Sequence, residues 1–278
     1  MSDFVPQAIA ESAIARFRQH LKAGQVLLGA AVTFADPAVT AALAEEFGFL
    51  WVDQEHAALS PEALSAHLWA ARAKDVPVLV RVAASDTPFI KPVLDAGADG
   101  IVVPQVRSAE EVRGIVADCR YPPLGRRGFG PRVPSNFGRD SGPAFVERAN
   151  REVFVVAMIE TAEALAALDE ILAVPGLDSL MLGPWDLSGA LGVLGDVEHP
   201  RVTQAIETVI AKTRAAGLSI GSGMGASVDY ACTMAHRGVQ WIQMGGDFEY
   251  MIKFANQMTA SVKERLIPSA PYPEDAHA

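Results

Sequence analysis

The sequence predicts one (β/α)8 TIM barrel. Eight short apolar runs of strand type alternate with helix-type periods along the chain. Several runs are near-continuous rather than alternating, as in VPVLVRV at residues 76–82, which marks a parallel strand covered on both faces. The chain has 278 residues, 50% of them hydrophobic, enough for one large core. A barrel of about 250 residues is ordinary as a single domain. No domain-length linker interrupts residues 1–278, so one domain is expected.

The elements follow in order. Residues 5–22 read as an amphipathic helix ahead of the barrel, and residues 25–33 (QVLLGAAVT) as the first strand. Asp36-Pro37 opens a helix, with proline suited to its first turn. The second strand, residues 49–53, runs into DQEH, and Ser60-Pro61-Glu62 starts the next helix. After the third strand a helix at residues 87–96 closes on Gly97. GIVVP at residues 100–104 is the fourth strand. The helix after it opens with SAEE, a capping-box signature. The period then breaks. Residues 121–139 are rich in Gly, Pro and Arg, and a loop of that length is usually functional or mobile. Strands at residues 153–159, 179–182, 218–222 and 239–244 complete the count, with a helix after each. The last helix spans residues 247–265 and is apolar on one side. The tail at residues 267–278 is Pro-rich and reads as loose.

Charge and composition exclude some roles. A net charge of −10 disfavours nucleic acid or an acidic membrane as partner. No basic-then-apolar leader and no apolar run of about 18 residues appear, so a soluble cytoplasmic protein is expected. Cys119 and Cys232 lack metal-type spacing and read as buried free thiols.

Barrel chemistry sits at the C-terminal ends of strands. Two of those ends carry acids one βα unit apart. VFVVAMI ends in Glu160, and SLML runs into Gly183-Pro184-Trp185-Asp186. Singly, each acid reads as a helix cap or a turn residue. Together on one rim they suit a hard divalent cation with positions left open for substrate. Mg²⁺, Mn²⁺ and Co²⁺ all fit such oxygen ligands. Asp53, Glu55 and His56 lie at the second strand end, where an imidazole flanked by carboxylates suits acid–base work, provided a turn brings the three together. Arg81 ends the third strand; its planar guanidinium suits a carboxylate or enolate oxygen, or a salt bridge to a rim acid. All six lysines fall on helices or helix ends, which disfavours an imine mechanism and leaves a metal as electron sink. Glycine-rich ends at residues 221–225 and 245–246 suit a phosphate, or simply leave space for a neighbour.

The motifs DQEH, LVRV, DAGADGIVVPQVRSAEE, YPPLGRRGFGP, MIETAEAL and GPWDLSGALG together resemble the HpcH/HpaI aldolase family, over residues 26–247. The resemblance implies a metal-dependent, class II pyruvate aldolase. Such an enzyme cleaves a 4-hydroxy-2-oxo acid to pyruvate and an aldehyde through a metal-stabilised enolate. It implies Glu160 and Asp186 as metal ligands, and Arg81 at the pyruvate ketone oxygen. His56 with Asp53 matches the acid–base pair, and Glu55 the acid beside it. Gly183, Pro184, Trp185 and Asp186 match the substrate-binding turn, with the amides of Trp185 and Asp186 on the carboxylate. A homo-hexamer built as a trimer of dimers, exchanging the C-terminal helix, is implied as well. Two departures touch the pocket. Met158 stands where one branch has Gln, and Gly29-Ala30-Ala31 where it has Trp. Gly223 replaces a larger aliphatic residue, which implies a roomier aldehyde side.

Three alternatives stay open at this point. A CoA-ester lyase of the citramalyl or malyl type would use the arginines of residues 126–139 as a basic cleft. An oxaloacetate decarboxylase would use the same enolate. A catalytically silent binding barrel would leave the strand-end residues without a task.

Overall fold

The structure is a computed structural model and describes residues 11–266. Eight parallel strands close into a barrel in chain order. They are β1 (Leu27–Val32), β2 (Phe49–Asp53), β3 (Val78–Arg81), β4 (Gly100–Val103), β5 (Phe154–Ile159), β6 (Ser179–Leu182), β7 (Ser219–Gly223) and β8 (Trp241–Gly246). β1 pairs with β8 to complete the ring. Closure leaves no sheet edge open to another chain.

Side-chain alternation sorts the strands into two cores. Val52, Val80, Ile101, Val155, Leu180, Ile220 and Ile242 face outward and pack against the helices. Phe49, Leu79, Val102, Phe154, Met158, Met181 and Trp241 face inward. Trp241 closes over Gly221, whose missing side chain leaves the space its indole ring occupies. The indole N–H donates to Ser179 Oγ at 2.9 Å. Helix α1 (Ala13–Lys22) plugs the N-terminal end of the barrel. Its Phe17 meets Phe49 and Phe154 edge-on, with centroids 5.6 and 5.4 Å apart. Burial of Phe17 contributes roughly 1.5–3 kcal/mol.

The remaining helices are α2 (Pro37–Leu43), α3 (Pro61–Ala73), α4 (Thr87–Ala96), α5 (Ala109–Cys119), α6 (Gly142–Glu152), α7 (Ala162–Ala166), α8 (Leu168–Leu172), α9 (Pro184–Ala190), α10 (Pro200–Ala215), α11 (Val228–Arg237) and α12 (Asp247–Leu266). Gly97 ends α4 at φ 105°, the left-handed cap the sequence predicts.

Several details differ from the sequence reading. α1 begins at Ala13, capped by Ser12; residues 5–10 of the expected helix lie outside the described residues. So does the 267–278 tail. α6 is an additional helix, hidden because Gly142-Pro143 reads as loop and only Phe145 and Asn150 are buried. The helix after β5 breaks at Ala167 into α7 and α8. The SAEE box forms by half: Ser108 accepts from the Glu111 amide, but the Glu111 carboxylate reaches past it to the Arg107 amide. Cys119 is buried as expected, whereas Cys232 is exposed because it lies on the outer face of α11.

The loop at residues 121–139 follows α5 and precedes α6, so it belongs to the N-terminal face of the barrel. There Arg127 pairs with Asp95 at 2.7 Å, and Phe137 stacks on Trp69. α12 departs from an ordinary eighth barrel helix. Tyr250 stacks on Phe47, but residues 251–266 are all exposed, including Met251, Phe254, Met258 and Val262.

Candidate active site

The inward parity that packs Phe49, Leu79, Met158 and Trp241 also aims Asp53, Arg81, Glu160 and Gln243 into the barrel mouth. A cavity of about 260 Å³ opens there. Its walls carry Asp53, His56, Arg81, Glu160, Gly183, Pro184, Trp185 and Asp186, together with Ala31, Trp51, Met158, Met181, Gly223 and Gln243. A larger hollow of about 720 Å³ lies at the opposite face, lined by Asp99 and Val153 near strand starts and by Glu152. It contains none of the strand-end residues singled out above.

Asp53 and Arg81 are register partners on β2 and β3. The guanidinium grips the carboxylate at two points, Nε to Oδ1 at 3.0 Å and Nη2 to Oδ2 at 2.6 Å. Its third nitrogen, Nη1, lies 3.0 Å from Glu55 Oε2. Arg81 also sits over the Trp51 ring, 5.4 Å from the centroid. The cation is thus held in one plane by two acids and an aromatic face. Arg81 is salt-bridged to the rim acids and also lines the cavity.

The turn needed after β2 does form. Asp53 Oδ1 accepts from the backbone amides of Glu55 and His56 at 3.0 and 3.3 Å, bending the chain at the strand end. The Asp53 carboxylate is therefore occupied by Arg81 and by this turn. Among the described residues it makes no hydrogen bond to the His56 ring. Glu55 is the nearer acid, with Oε2 3.8 Å from His56 Nε2. The His56 side chain is 66% exposed and stands at the cavity mouth. Burial holds the Glu55 carboxyl above its usual range. Asp53 and Asp186 push the same way, while Arg81 and His56 oppose.

Glu160 is the buried acid, 2% exposed just past the end of β5. Its Oε1 accepts from the Gln105 backbone amide at 2.7 Å and from Gln105 Nε2 at 3.2 Å. Its Oε2 takes no hydrogen bond among the described residues and rests against Gly183, where any Cβ would collide with it. Burial pushes the Glu160 carboxyl up to about 7. Asp186 and Glu55 add to the push, against the Gln105 amide and Arg81. Asp186 lies in the first turn of α9 rather than in a loop, and it is exposed to the cavity. Ser188 braces that helix, donating to the Trp185 carbonyl at 2.6 Å and accepting from the Gly195 amide.

Two polar residues of the site escaped sequence reading. Gln105 sits one residue beyond GIVVP, and the strand-end rule applied to β4 would have found it. Its φ of 55° turns the backbone amide toward Glu160. Gln243 is inward because Trp241 is, two residues earlier on β8. The acceptor side is also less open than Gly223 suggests. A Cβ on Gly223 would lie 2.5 Å from Gln243 Oε1 and 3.1 Å from Met181 Cε, so the glycine accommodates neighbours rather than empty space. The other glycine-rich end behaves alike, with Gly245 packed against Ala226.

The arginines of the 121–139 loop do not reach this cavity. Arg126 is held by Asp118 at 2.6 Å, and Arg127 is buried on Asp95 and over the Tyr121 ring. All six lysines lie on helices or at their caps, as expected. Among the described residues no helix is long and apolar enough to cross a membrane.

Comparison with known proteins agrees with the barrel fold. The family model described as HpcH/HpaI aldolase/citrate lyase matches residues 35–253. The chain is 36% identical to 2-dehydro-3,6-dideoxy-6-sulfogluconate aldolase of Pseudomonas putida, over 81% of this chain and 87% of that one. It is 35% identical to the hydroxypyruvate/pyruvate aldolase of Roseovarius nubinhibens, over 88% and 95%. Among solved structures, an HpcH/HpaI aldolase from Desulfitobacterium hafniense superposes with a TM-score of 0.82 at 32% identity, covering 89% of this chain and 96% of that one.

Proposed function

The chain belongs to the HpcH/HpaI aldolase/citrate lyase family, and from that premise we propose the chemistry of its site. It is a carbon–carbon lyase of the class II pyruvate-aldolase type. It cleaves 4-hydroxy-2-oxo acids to pyruvate and an aldehyde, reversibly. The observation that carries this reading is the pairing of two acids, Glu160 and Asp186, with Arg81 around one cavity at the strand ends.

The residues fit a divalent cation such as Mg²⁺, Mn²⁺ or Co²⁺. Among the described residues Glu160 Oε2 takes no hydrogen bond, and it faces the turn that carries Asp186. Burial is the main reason the Glu160 carboxyl is raised, and Asp186 and Glu55 add negative charge that a cation between the acids would offset. Glu160 and Asp186 would hold the ion, and the substrate would complete its shell. When bound, the ion withdraws electron density from the 2-oxo group.

The chain's own groups divide the remaining work. Arg81, already oriented by Asp53 and Glu55, presents its charge toward the ketone oxygen, where negative charge grows as the enolate forms. The first backbone amides of α9, at Trp185 and Asp186, have no partner within the helix and suit the substrate carboxylate. In cleavage the C3–C4 bond breaks and its electron pair passes into the pyruvate enolate. The C4 hydroxyl gives up its proton as the aldehyde forms, and C3 takes one to yield pyruvate. His56, at the mouth beside Glu55, would carry the C4 hydroxyl proton. Gln105 holds Glu160 in position, and Gly183 leaves room for its free oxygen.

The helix α12 supports a homo-oligomer. Its apolar residues Met251, Phe254, Met258 and Val262 recur at helical spacing and are exposed. A second copy exchanging this helix, within a trimer of dimers, covers that face. The unpaired thiols of Cys119 and Cys232 support a reducing, cytoplasmic setting.

The test is a panel of aldehydes incubated with pyruvate and read by mass spectrometry, with and without chelator. New hydroxy-oxo acids that vanish with chelator support the reading. A product insensitive to chelator overturns the metal assignment, and a borohydride-trapped lysine overturns the class.

A further inference from the structure

We infer that Gln243 selects the aldehyde, and that it favours one bearing a hydroxyl group over an apolar one of the same size. This rests on the aldolase reading above and names the substrate class of that same cavity. Around Gly223 the cavity lining is otherwise soft and apolar, with Ala31, Trp51 and Met181. Gln243 is the one side-chain amide among the described residues that line the cavity.

Its orientation is fixed. Nε2 donates to the Gly245 carbonyl at 2.8 Å, and because that partner is an acceptor, the other amide atom must be the carbonyl oxygen. No donor among the described residues reaches Oε1, and the side chain is only partly buried. A fixed, unpaired acceptor thus faces the cavity. Left without a donor it must keep its water. A hydroxyl on the aldehyde replaces that water, whereas a methyl group displaces it with nothing in return. Gly223 is part of the same device. A Cβ there would crowd Oε1 at 2.5 Å and the Gln243 Cβ at 3.1 Å, so glycine keeps this rotamer open.

Glycolaldehyde and propanal form the discriminating pair, since they differ by a hydroxyl in place of a methyl group. The kcat/KM for addition of pyruvate to each is measured in the metal-loaded enzyme, and their ratio is taken within each variant. Gln243→Met keeps length and volume but removes the acceptor, and it should lower the glycolaldehyde-to-propanal ratio about fivefold or more. Gly223→Ala, whose Cβ would push the amide oxygen out of this rotamer, should shift the ratio the same way. An unchanged ratio in Gln243→Met overturns the inference. So does equal loss of both aldehydes in both variants, because an acceptor-side hydrogen bond does not touch propanal. Deuterium exchange into the pyruvate methyl group of the wild type needs no aldehyde. Its absence would instead overturn the aldolase reading on which this one stands.

Discussion

Glu160→Gln should abolish turnover and yet stabilise the metal-free protein above pH 7. A glutamate ordinarily titrates at 4.5, and burial raises this one to about 7 in the fold. Between those values the folded chain binds more protons than the unfolded chain, so stability falls as pH rises through the window. The deficit is complete above pH 7. A shift of about 2.5 units corresponds to roughly 3 kcal/mol at 1.36 kcal/mol per unit. Gln removes the charge but keeps an acceptor for the Gln105 amide, now neutral, which gives back about 1 kcal/mol. The net gain is about 2 kcal/mol, or about 4–8 °C in Tm for a chain of this size. The assay is thermal unfolding at pH 8 and pH 4.5 with chelator, at matched protein concentration. The gain should appear at pH 8 and be gone by pH 4.5. Added Mn²⁺ should raise the Tm of the wild type and leave the variant unmoved. A variant less stable than wild type at pH 8, or a pH-independent difference, would refute the claim that this carboxylate is kept at the expense of stability.

Other outcomes follow from the same geometry. Arg81→Lys keeps the charge but cannot hold Asp53 at two points and Glu55 at a third, so kcat should fall about 100- to 1000-fold; a loss within about threefold of wild type would leave Arg81 as a structural ion pair. His56→Ala should slow cleavage of the hydroxy acid while pyruvate affinity, read by calorimetry, stays unchanged; weakened pyruvate binding would make His56 a binding residue. Sedimentation should give a multiple of the chain mass at micromolar concentration, and Met258→Asp on the exposed stripe of α12 should lower that mass; a monomeric wild type would reject assembly.

Much of the site was legible because strand alternation is a rigid rule. Once Phe49 and Phe154 are inward, Asp53 and Glu160 must be inward at the other end of their strands. Asp186 was legible for a different reason, since GPWD follows a strand at the point where barrels turn. What alternation does not supply is the choice among neighbours. Asp53 pairs with Arg81 instead of the His56 ring, because the β2–β3 register sets their side chains abreast. The left-handed backbone of Gln105 has no mark in sequence, for glutamine is not a residue that advertises positive φ. Gly223 is ambiguous on similar grounds: a small residue signals close approach but does not say by what, and here the neighbour is Gln243. α12 shows the limit most plainly. Its apolar periodicity predicts a buried face without saying against what; the resemblance implies exchange between subunits, and in the structure residues 251–266 are exposed on their own barrel.

If the two acids and Arg81 enolise pyruvate in this cavity, the methyl protons of pyruvate must exchange with solvent. Exchange of the pyruvate methyl protons in heavy water, followed by NMR without any aldehyde, tests this most directly. Wild-type protein with Mg²⁺, Mn²⁺ or Co²⁺ should exchange all three methyl protons, and chelator, Glu160→Gln or Asp186→Asn should each stop the exchange. Undiminished exchange in Glu160→Gln, or none in the metal-loaded wild type, would contradict it.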